Sequence, residues 1–427
     1  MRNSTELKQE INTDFYNERL REIYLDSSVL TYQKQRYSRV IDQYEAVFGA
    51  GPVEIFNAPG RSEICGNHTD HQLGKVLAAS INLDSIAVAS PTDDEIVRMI
   101  SDGYPMITID TADLALRREE IATTAGLIRG VLKGLQDRGC AIGGFNACIT
   151  SDVLIGAGLS SSASFETLIG TIISGLYNQM KIDPAALAEI GQFAENVYFG
   201  KPCGLMDQMA CSVGGMIQID FAKPDQPLVS KVDADFEKYQ YSLCIVDTHG
   251  SHADLTNDYA AIPAEMKQVA AFFGHQFLRQ VEPEEFYRSV PQLRAAVSDR
   301  AVLRAIHFFS EEIRVVQAAA ALKNDDFKTF LQLIKASGDS SFKFLQNIYS
   351  NHDIENQNVS IALAVSENIL AGHGVCRVHG GGFAGTIQVF VDNAFVDCYR
   401  SQMESVFGPG SCHVLHIRPF GGIRVIS

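Results

Sequence analysis

Nine residues near the middle of the chain, Gly156-Ala-Gly-Leu-Ser-Ser-Ser-Ala-Ser164, place two glycines and a run of serines directly before an apolar, helix-compatible stretch, Phe165 to Tyr177. Residues of these types in this order can cradle an anion. Glycine lets the backbone turn tightly and approach a ligand with no Cβ in the way. The first-turn N–H groups of the following helix have no intrahelical partner, and the helix dipole adds about half a positive charge there. A phosphate suits such a place. The serine hydroxyls add donors and an oxygen ligand for Mg²⁺.

A second cluster, Ala58-Pro-Gly-Arg-Ser-Glu-Ile-Cys-Gly-Asn-His-Thr-Asp-His71, brings Arg61, Glu63, Asn67, His68, Asp70 and His71 within eleven residues. Such side chains can hydrogen-bond several hydroxyls at once, as a sugar requires. Asn, Thr, Asp and Gly are also the usual turn formers, so the same residues suit a polar turn. The spacing of Gly66, His68, Asp70 and His71 is that of a His-x-His-x-Asp-His zinc set, but Gly66 stands in the first ligand position, so dinuclear zinc is not expected. A third cluster, Arg377-Val-His-Gly-Gly-Gly-Phe-Ala-Gly385, has four glycines in six positions, which suits a backbone that passes close to something. His-Gly-Gly-Gly is also an oxyanion element of lipases, but the chain lacks the Gly-x-Ser-x-Gly elbow and the run follows the candidate serines. A Walker A loop is absent, and a Rossmann nucleotide site is not expected.

These clusters need elements to hold them. Residues 1–50 are rich in Glu, Lys, Arg, Gln, Leu and Tyr, lack Pro and carry no Gly before Gly49, so they predict helix up to the stop at Gly49-Ala-Gly-Pro52. Val53–Phe56 and Lys75–Ala89 predict strands on either side of a polar loop. Leu127–Leu135 predicts helix, and Phe145–Thr150 a strand running into the Gly/Ser loop. Asp183 as N-cap and Pro184 at the first helical position predict a helix to Val197. Met216–Phe221 and Tyr241–Val246 predict strands, 262–345 mostly helix, and 375–391 and 413–427 strand and turn. The class is α+β. The prolines and charges of Phe221-Ala-Lys-Pro-Asp-Gln-Pro227 suit a domain boundary.

The chain has 427 residues, 46% hydrophobic and 20% charged, enough for two or three domains with ample cores. Its net charge of -16 argues against a nucleic-acid partner. An acidic protein that binds an anion must concentrate positive potential locally, from amide dipoles, a metal or a placed Arg. Nine scattered cysteines with no Cys-x-x-Cys pair fit reduced thiols, hence a cytoplasmic protein. The N-terminus is polar with no signal-like segment, and no run of about 18 apolar residues predicts a membrane span.

Taken in order, the three clusters resemble those of the GHMP kinases, and within them the galactokinases. That family carries Gly-Arg-x-Asn-Leu-Ile-Gly-Glu-His-x-Asp-Tyr near its start, Pro-x-Gly-x-Gly-Leu-Ser-Ser-Ser-Ala in the middle and Gly-Gly-Gly-Phe-Gly-Gly near its end. The resemblance extends to Pro202-Cys-Gly-Leu-Met-Asp-Gln208 and to Val246-Asp-Thr with His252 and Tyr259, and spans about residues 36–427. It implies a two-domain GHMP kinase fold of mixed sheets and helices, with the active site in the interdomain cleft. The domains would be a helical extension over 1–35, for surface or oligomer contact, then 36–221 and 222–427. The implied activity is transfer of the γ-phosphate of ATP to the C1 hydroxyl of α-D-galactose. Gly156, Ala157, Gly158, Leu159, Ser160, Ser161 and Ser162 would cradle the ATP phosphates, and Ser162 with Glu195 would hold Mg²⁺. Asp207 would face the anomeric hydroxyl with Arg61 beside it. Asn67, His68, Asp70, Gly204 and Tyr259 would hold the sugar, and Gly380 to Gly382 would shape the space between the domains. The partners implied are the sugar and ATP alone, in a monomer or a dimer.

Phosphoryl transfer to a hydroxyl needs positioning and charge stabilisation more than covalent help. An aspartate of ordinary pKa near 4 is a weak base, and an adjacent Arg lowers it further. Asp207 is therefore expected to orient the hydroxyl and accept its proton late. The chain also departs from the family pattern. Glu63 and Asn67 exchange the family's Asn and Glu, His71 replaces Tyr, Leu154 replaces the Pro before the loop, and Ser251 stands where an Arg is expected. Asn67 would meet a sugar hydroxyl as a neutral group, and charge-assisted bonds are about twice as strong. A shift of sugar range, to N-acetylgalactosamine or an arabinose, is one alternative. A non-catalytic sugar sensor is another, against which stand the intact Leu159-Ser-Ser-Ser-Ala163, Asp207 and Glu195.

Overall fold

A computed structural model describes the whole chain except Ile155, Ala157, Asp225, residues 251–254 and Ser427. The helical start breaks into three pieces, Ser4–Ile11, Asn17–Tyr24 and Leu30–Phe48. Asn3 caps the first by accepting from the N–H groups of Thr5 and Glu6, and Gly49, at φ +84°, stops the third. Their apolar stripe, with Leu7, Ile11, Leu20, Ile23, Tyr37 and Ile41, is buried against Ile55, Ile86, Val88 and Val425 of the first sheet. The leading helices thus cover one face of the first sheet rather than standing off as a surface extension. The reason is a stripe at three- and four-residue spacing on each short helix.

The first sheet has nine strands among the described residues. Its main path runs Arg2–Asn3, Pro52–Cys65, Lys75–Pro91, Phe145–Ser151, Ile96–Ser101 and Ile107–Asp110; Ile423–Ile426 pairs with Pro52–Cys65, and Met216–Asp220 joins Lys75–Pro91 to Leu228–Val232. Phe145–Ser151 and Ile96–Ser101 pair in parallel, and the other pairs are antiparallel. The second sheet orders Gly374–Val378, Thr386–Asp392, Tyr241–Asp247 and Cys412–Leu415, all antiparallel. The helices Thr124–Asp137, Ser161–Asn178 and Pro184–Phe193 cover the first sheet around Phe56, Ile149, Ile169, Ile172 and Ile190. The long helix Asp299–Lys323 lies between the sheets. Its Val315, Ala318 and Leu322 share one core with Ile64, Leu77 and Met216 of the first sheet and Leu243, Ile245 and Phe390 of the second.

The strand expected over Val53–Phe56 instead continues to Cys65, with register shifts after Pro59 and Glu63. Arg61 and Glu63 are therefore strand residues, buried although charged. Arg61 meets Asp207 and Glu63 meets Arg377, both far along the chain, so local polarity alone points to a loop.

Candidate active site

The strand Phe145–Ser151 delivers the chain to the glycine–serine loop, and the helix Ser161–Asn178 carries it away. Gly156 and Gly158 have φ of +80° and +66°, and Ser160 follows at +58°. A Cβ on Gly158 would press on His379 Nδ1 at 3.3 Å and Thr386 Oγ1 at 3.4 Å, so the loop lies against the third glycine cluster. Leu159 is fully buried in the core shared by the two sheets and anchors the loop. Ser161 opens the helix, and Ser162 Oγ donates to Glu195 Oε1 at 3.1 Å. Ala157 lies outside the described residues, as do Ser251 and His252.

Asp207 occupies the first turn of the helix Met206–Val213 and meets Arg61 as a fork. Arg61 Nε donates to Oδ1 and Nη2 to Oδ2, both at 2.8 Å. The same guanidinium donates through Nη1 to the Gly158 carbonyl, and the Arg61 N–H donates to Leu159 O at 3.1 Å. Ser160 Oγ also donates to Asp207 Oδ2. The Arg61 side chain is 7% exposed and that of Asp207 33%, so the carboxylate is the member of the pair that solvent or a substrate can reach. Burial pushes the Asp207 carboxyl up, but the charge and hydrogen bonds of Arg61, helped by Ser160, outweigh it and hold the group below its ordinary value.

Beyond Cys65 the second cluster turns sharply, with Gly66 at φ +97° and His68 at +59°. The His68 Nε2–H donates to Gly381 O at 3.0 Å, and its ring stacks on His71 at 6.0 Å. Burial, with His71 nearby, lowers His68 to about 4, so its imidazole is neutral. Asp70 accepts from the His71 N–H at 2.9 Å and lies so close over Gly204 that a Cβ there would collide with Oδ2. Tyr259 OH donates to Gly382 O at 2.8 Å. Asn67, expected to meet a sugar hydroxyl, is fully enclosed. Its Nδ2 donates to both oxygens of Glu63 and to Gly380 O, and its Oδ1 accepts from Asn347 Nδ2 at 2.7 Å and Ser341 Oγ at 3.4 Å. Three successive glycine carbonyls, 380 to 382, thus receive Asn67, His68 and Tyr259 in turn. The run formally fits Gly-x-Gly-x-x-Gly, but it joins the strands Gly374–Val378 and Thr386–Asp392 and opens no helix, so it lacks the dinucleotide context.

Several groups here were not legible in the sequence. Arg377 closes on Glu63 at 2.8 Å. His307 donates from Nε2 to Asn67 O at 2.9 Å and accepts from Ser340 at Nδ1, also at 2.9 Å. Glu311 accepts from the Gly66 N–H at 3.0 Å. Behind Ser162, Gln208 Nε2 donates to Glu195 Oε2 at 2.9 Å and Glu166 Oε2 at 3.1 Å, while Lys201 reaches Glu195 Oε1 at 3.1 Å. Glu195 sits in a π-helical turn, Ala194–Phe199, a distortion often found at functional sites. Glu166 Oε1 and Gln208 Oε1 are buried without a hydrogen-bond partner among the described residues. Burial, then Glu195, pushes the Glu166 carboxyl well up.

Residues 126–215 match the family model of the GHMP kinase N-terminal domain, and residues 42–91 match the galactokinase galactose-binding signature. A galactokinase of Glaesserella parasuis serovar 5 is 32% identical over 367 residues, 84% of this chain and 90% of that protein. The crystal structure of Lactococcus lactis galactokinase complexed with galactose superposes with a TM-score of 0.76 at 25% identity, covering 90% of this chain and 98% of that one. The Methanococcus jannaschii mevalonate kinase shares the fold at a TM-score of 0.60 and 15% identity, over 86% and 99% of the two chains.

Proposed function

Because this chain belongs to the galactokinases of the GHMP kinase group, we propose that its interdomain site transfers the γ-phosphate of ATP to the C1 hydroxyl of α-D-galactose through the Asp207–Arg61 pair. The chain is an ATP-dependent sugar kinase with galactose as its sugar. The observation that carries the site assignment is the Arg61 guanidinium, which holds both Asp207 oxygens while bound to the carbonyl of Gly158 in the phosphate loop. One cation thereby joins the group that meets the acceptor to the loop that meets the donor.

Each residue then has a task its surroundings support. The loop from Gly156 to Ser162 receives the phosphates, with Leu159 as its buried anchor. His68, Asp70, Gly204 and Tyr259 present donors and acceptors to the sugar, and Asn67 holds that loop in shape from behind. Asp207, kept anionic by Arg61, orients the C1 hydroxyl and takes its proton late, as a weak base must. Arg61 offsets charge on the transferring phosphoryl group. The hydroxyl of Ser162 and the carboxylate of Glu195 form a hard-oxygen pair that suits Mg²⁺. Bound there with ATP, Mg²⁺ would neutralise phosphate charge. The chain would divide near Phe221 between a half carrying the sugar and phosphate clusters and a half carrying Tyr259 and the glycine run. No helix among the described residues is long and apolar enough to cross a membrane.

The test is ADP release with MgATP across galactose, N-acetylgalactosamine, glucose, arabinose and mevalonate, run beside Asp207→Asn. Galactose should dominate the panel, and the variant should bind ATP normally while losing about 100-fold or more of kcat. Preference for another sugar would overturn the substrate, and near-normal turnover by Asp207→Asn would overturn the catalytic pair.

A further inference from the structure

We infer that Ser160 is a positioning residue for Asp207 rather than a phosphate ligand. The inference rests on the galactokinase reading and reassigns one residue of its phosphate loop. Ser160 stands at the N-cap of the helix Ser161–Asn178, where a serine normally accepts a hydrogen bond from the second or third helical N–H. It makes no such bond. Its backbone instead sits in the left-handed region, φ +58° and ψ +58°, a conformation that costs a non-glycine residue about 1 kcal/mol. That twist turns its hydroxyl away from its own helix and onto Asp207 Oδ2, 47 residues later in the chain. A serine hydroxyl has one proton to donate. With that proton on Asp207, Ser160 offers a phosphate only lone pairs, which repel its oxygens. The donors left for the phosphates are the backbone N–H groups of the loop and helix start, and the hydroxyl of Ser161.

The second tie runs through Arg61, bonded to Gly158 O and Leu159 O on one side and to both Asp207 oxygens on the other. Arg61 and Ser160 thus join the loop and the carboxylate into one unit, and Ser160 supplies the third of three donors on Asp207 among the described residues. Removing its hydroxyl frees the carboxylate to tilt within the Arg61 fork, which costs rate and not nucleotide affinity.

The experiment compares Ser160→Gly, which takes up the left-handed backbone without strain, with Ser160→Ala, which retains the strain. For each, kcat and KM for ATP are measured with galactose, together with Kd for a fluorescent ATP analogue. The expected result is about a tenfold fall in kcat in both variants, with KM for ATP and nucleotide Kd within twofold of wild type. Retained nucleotide binding shows that the variants are folded. A tenfold rise in KM for ATP and in nucleotide Kd with kcat intact would return Ser160 to the phosphates, and unchanged constants throughout would remove it from the site. A wild-type enzyme with no turnover on galactose would count against the parent reading instead.

Discussion

Asn67 and Glu63 act as one unit. The Asn67 amide donates to the two Glu63 oxygens at 3.0 and 3.1 Å, and Arg377 closes the carboxylate from the other side at 2.8 Å. Burial raises the Glu63 carboxyl, and Arg377 opposes that rise. A second carboxylate at position 67 would lie beside the first, away from water, and would present no donor to Gly380 O. Asn67→Glu alone should therefore destabilise the protein by about 3 kcal/mol or more. The double variant Glu63→Asn, Asn67→Glu restores one amide and one carboxylate and should recover most of that loss. A cycle of urea-unfolding free energies should give a coupling of at least about 1 kcal/mol, the size expected for residues in one hydrogen-bond network. Coupling within measurement error of zero would mean that the two positions are independent. The KM of the double variant for galactose then reads whether moving the charge by four residues alters sugar binding.

Among the elements, the leading helices are tied in by a buried polar knot. Asp84 accepts from Arg36 Nη1 at 2.6 Å, Tyr24 OH at 3.0 Å, Asn57 Nδ2 at 2.8 Å and Arg418 Nη1 at 3.2 Å. Arg36 also pairs with Asp152 at 3.0 Å. One carboxylate thus joins the N-terminal helices, the first sheet and the C-terminal segment. Arg36→Met keeps the apolar stem and removes the charge, leaving Asp84 with Arg418 as its cation and the neutral donors Tyr24 and Asn57. The loss should be about 3 kcal/mol, read as a lower urea midpoint; an unchanged midpoint would show that the knot is dispensable. Helices over residues 1–48 were legible from composition and the Gly49 stop, and the Gly/Ser loop and the helix after it from glycine and serine placement. The continuation of Pro52–Cys65 through Arg61 and Glu63 was not. A strand reads as alternation of apolar and polar residues, and here Arg61 is buried against Asp207 and the Gly158 carbonyl, and Glu63 against Arg377 as well as nearby Asn67. Asn347 and Ser341 lie more than 270 residues from Asn67, a distance at which no local pattern signals contact.

The two sheets share one core, and the whole molecule should sense acid through the histidines that span it. His307 joins the helix Asp299–Lys323 to the second cluster by donating to Asn67 O, and His379 joins the glycine run to Ser62 and Glu63. The Glu63 N–H donates to His379 Nε2, so its proton sits on Nδ1, facing Thr386. Both rings are neutral. Burial lowers His307 to about 3 and His379 well below its ordinary value, with Arg61 and Arg377 adding to the second shift. The unfolded chain protonates such a histidine near pH 6.5. Between about pH 6.5 and 3 the unfolded state therefore binds the proton that folded His307 refuses. Stability rises with pH wherever the unfolded state holds more protons, so the His307 contribution is complete above 6.5 and is lost as pH falls towards 3. Glu63 and Glu166, held above their ordinary values, work in the opposite sense, so the net acid profile alone does not isolate the histidine. The difference between wild type and His307→Gln does, because the carboxylates are common to both. Their unfolding free energies should converge by about 1 kcal/mol between pH 6.5 and 5.5, as the unfolded histidine goes from half to nearly fully protonated. A gap that stays constant from pH 7.5 to 5.5 would mean that His307 takes up its proton in the folded protein and that the seam between the sheets admits charge.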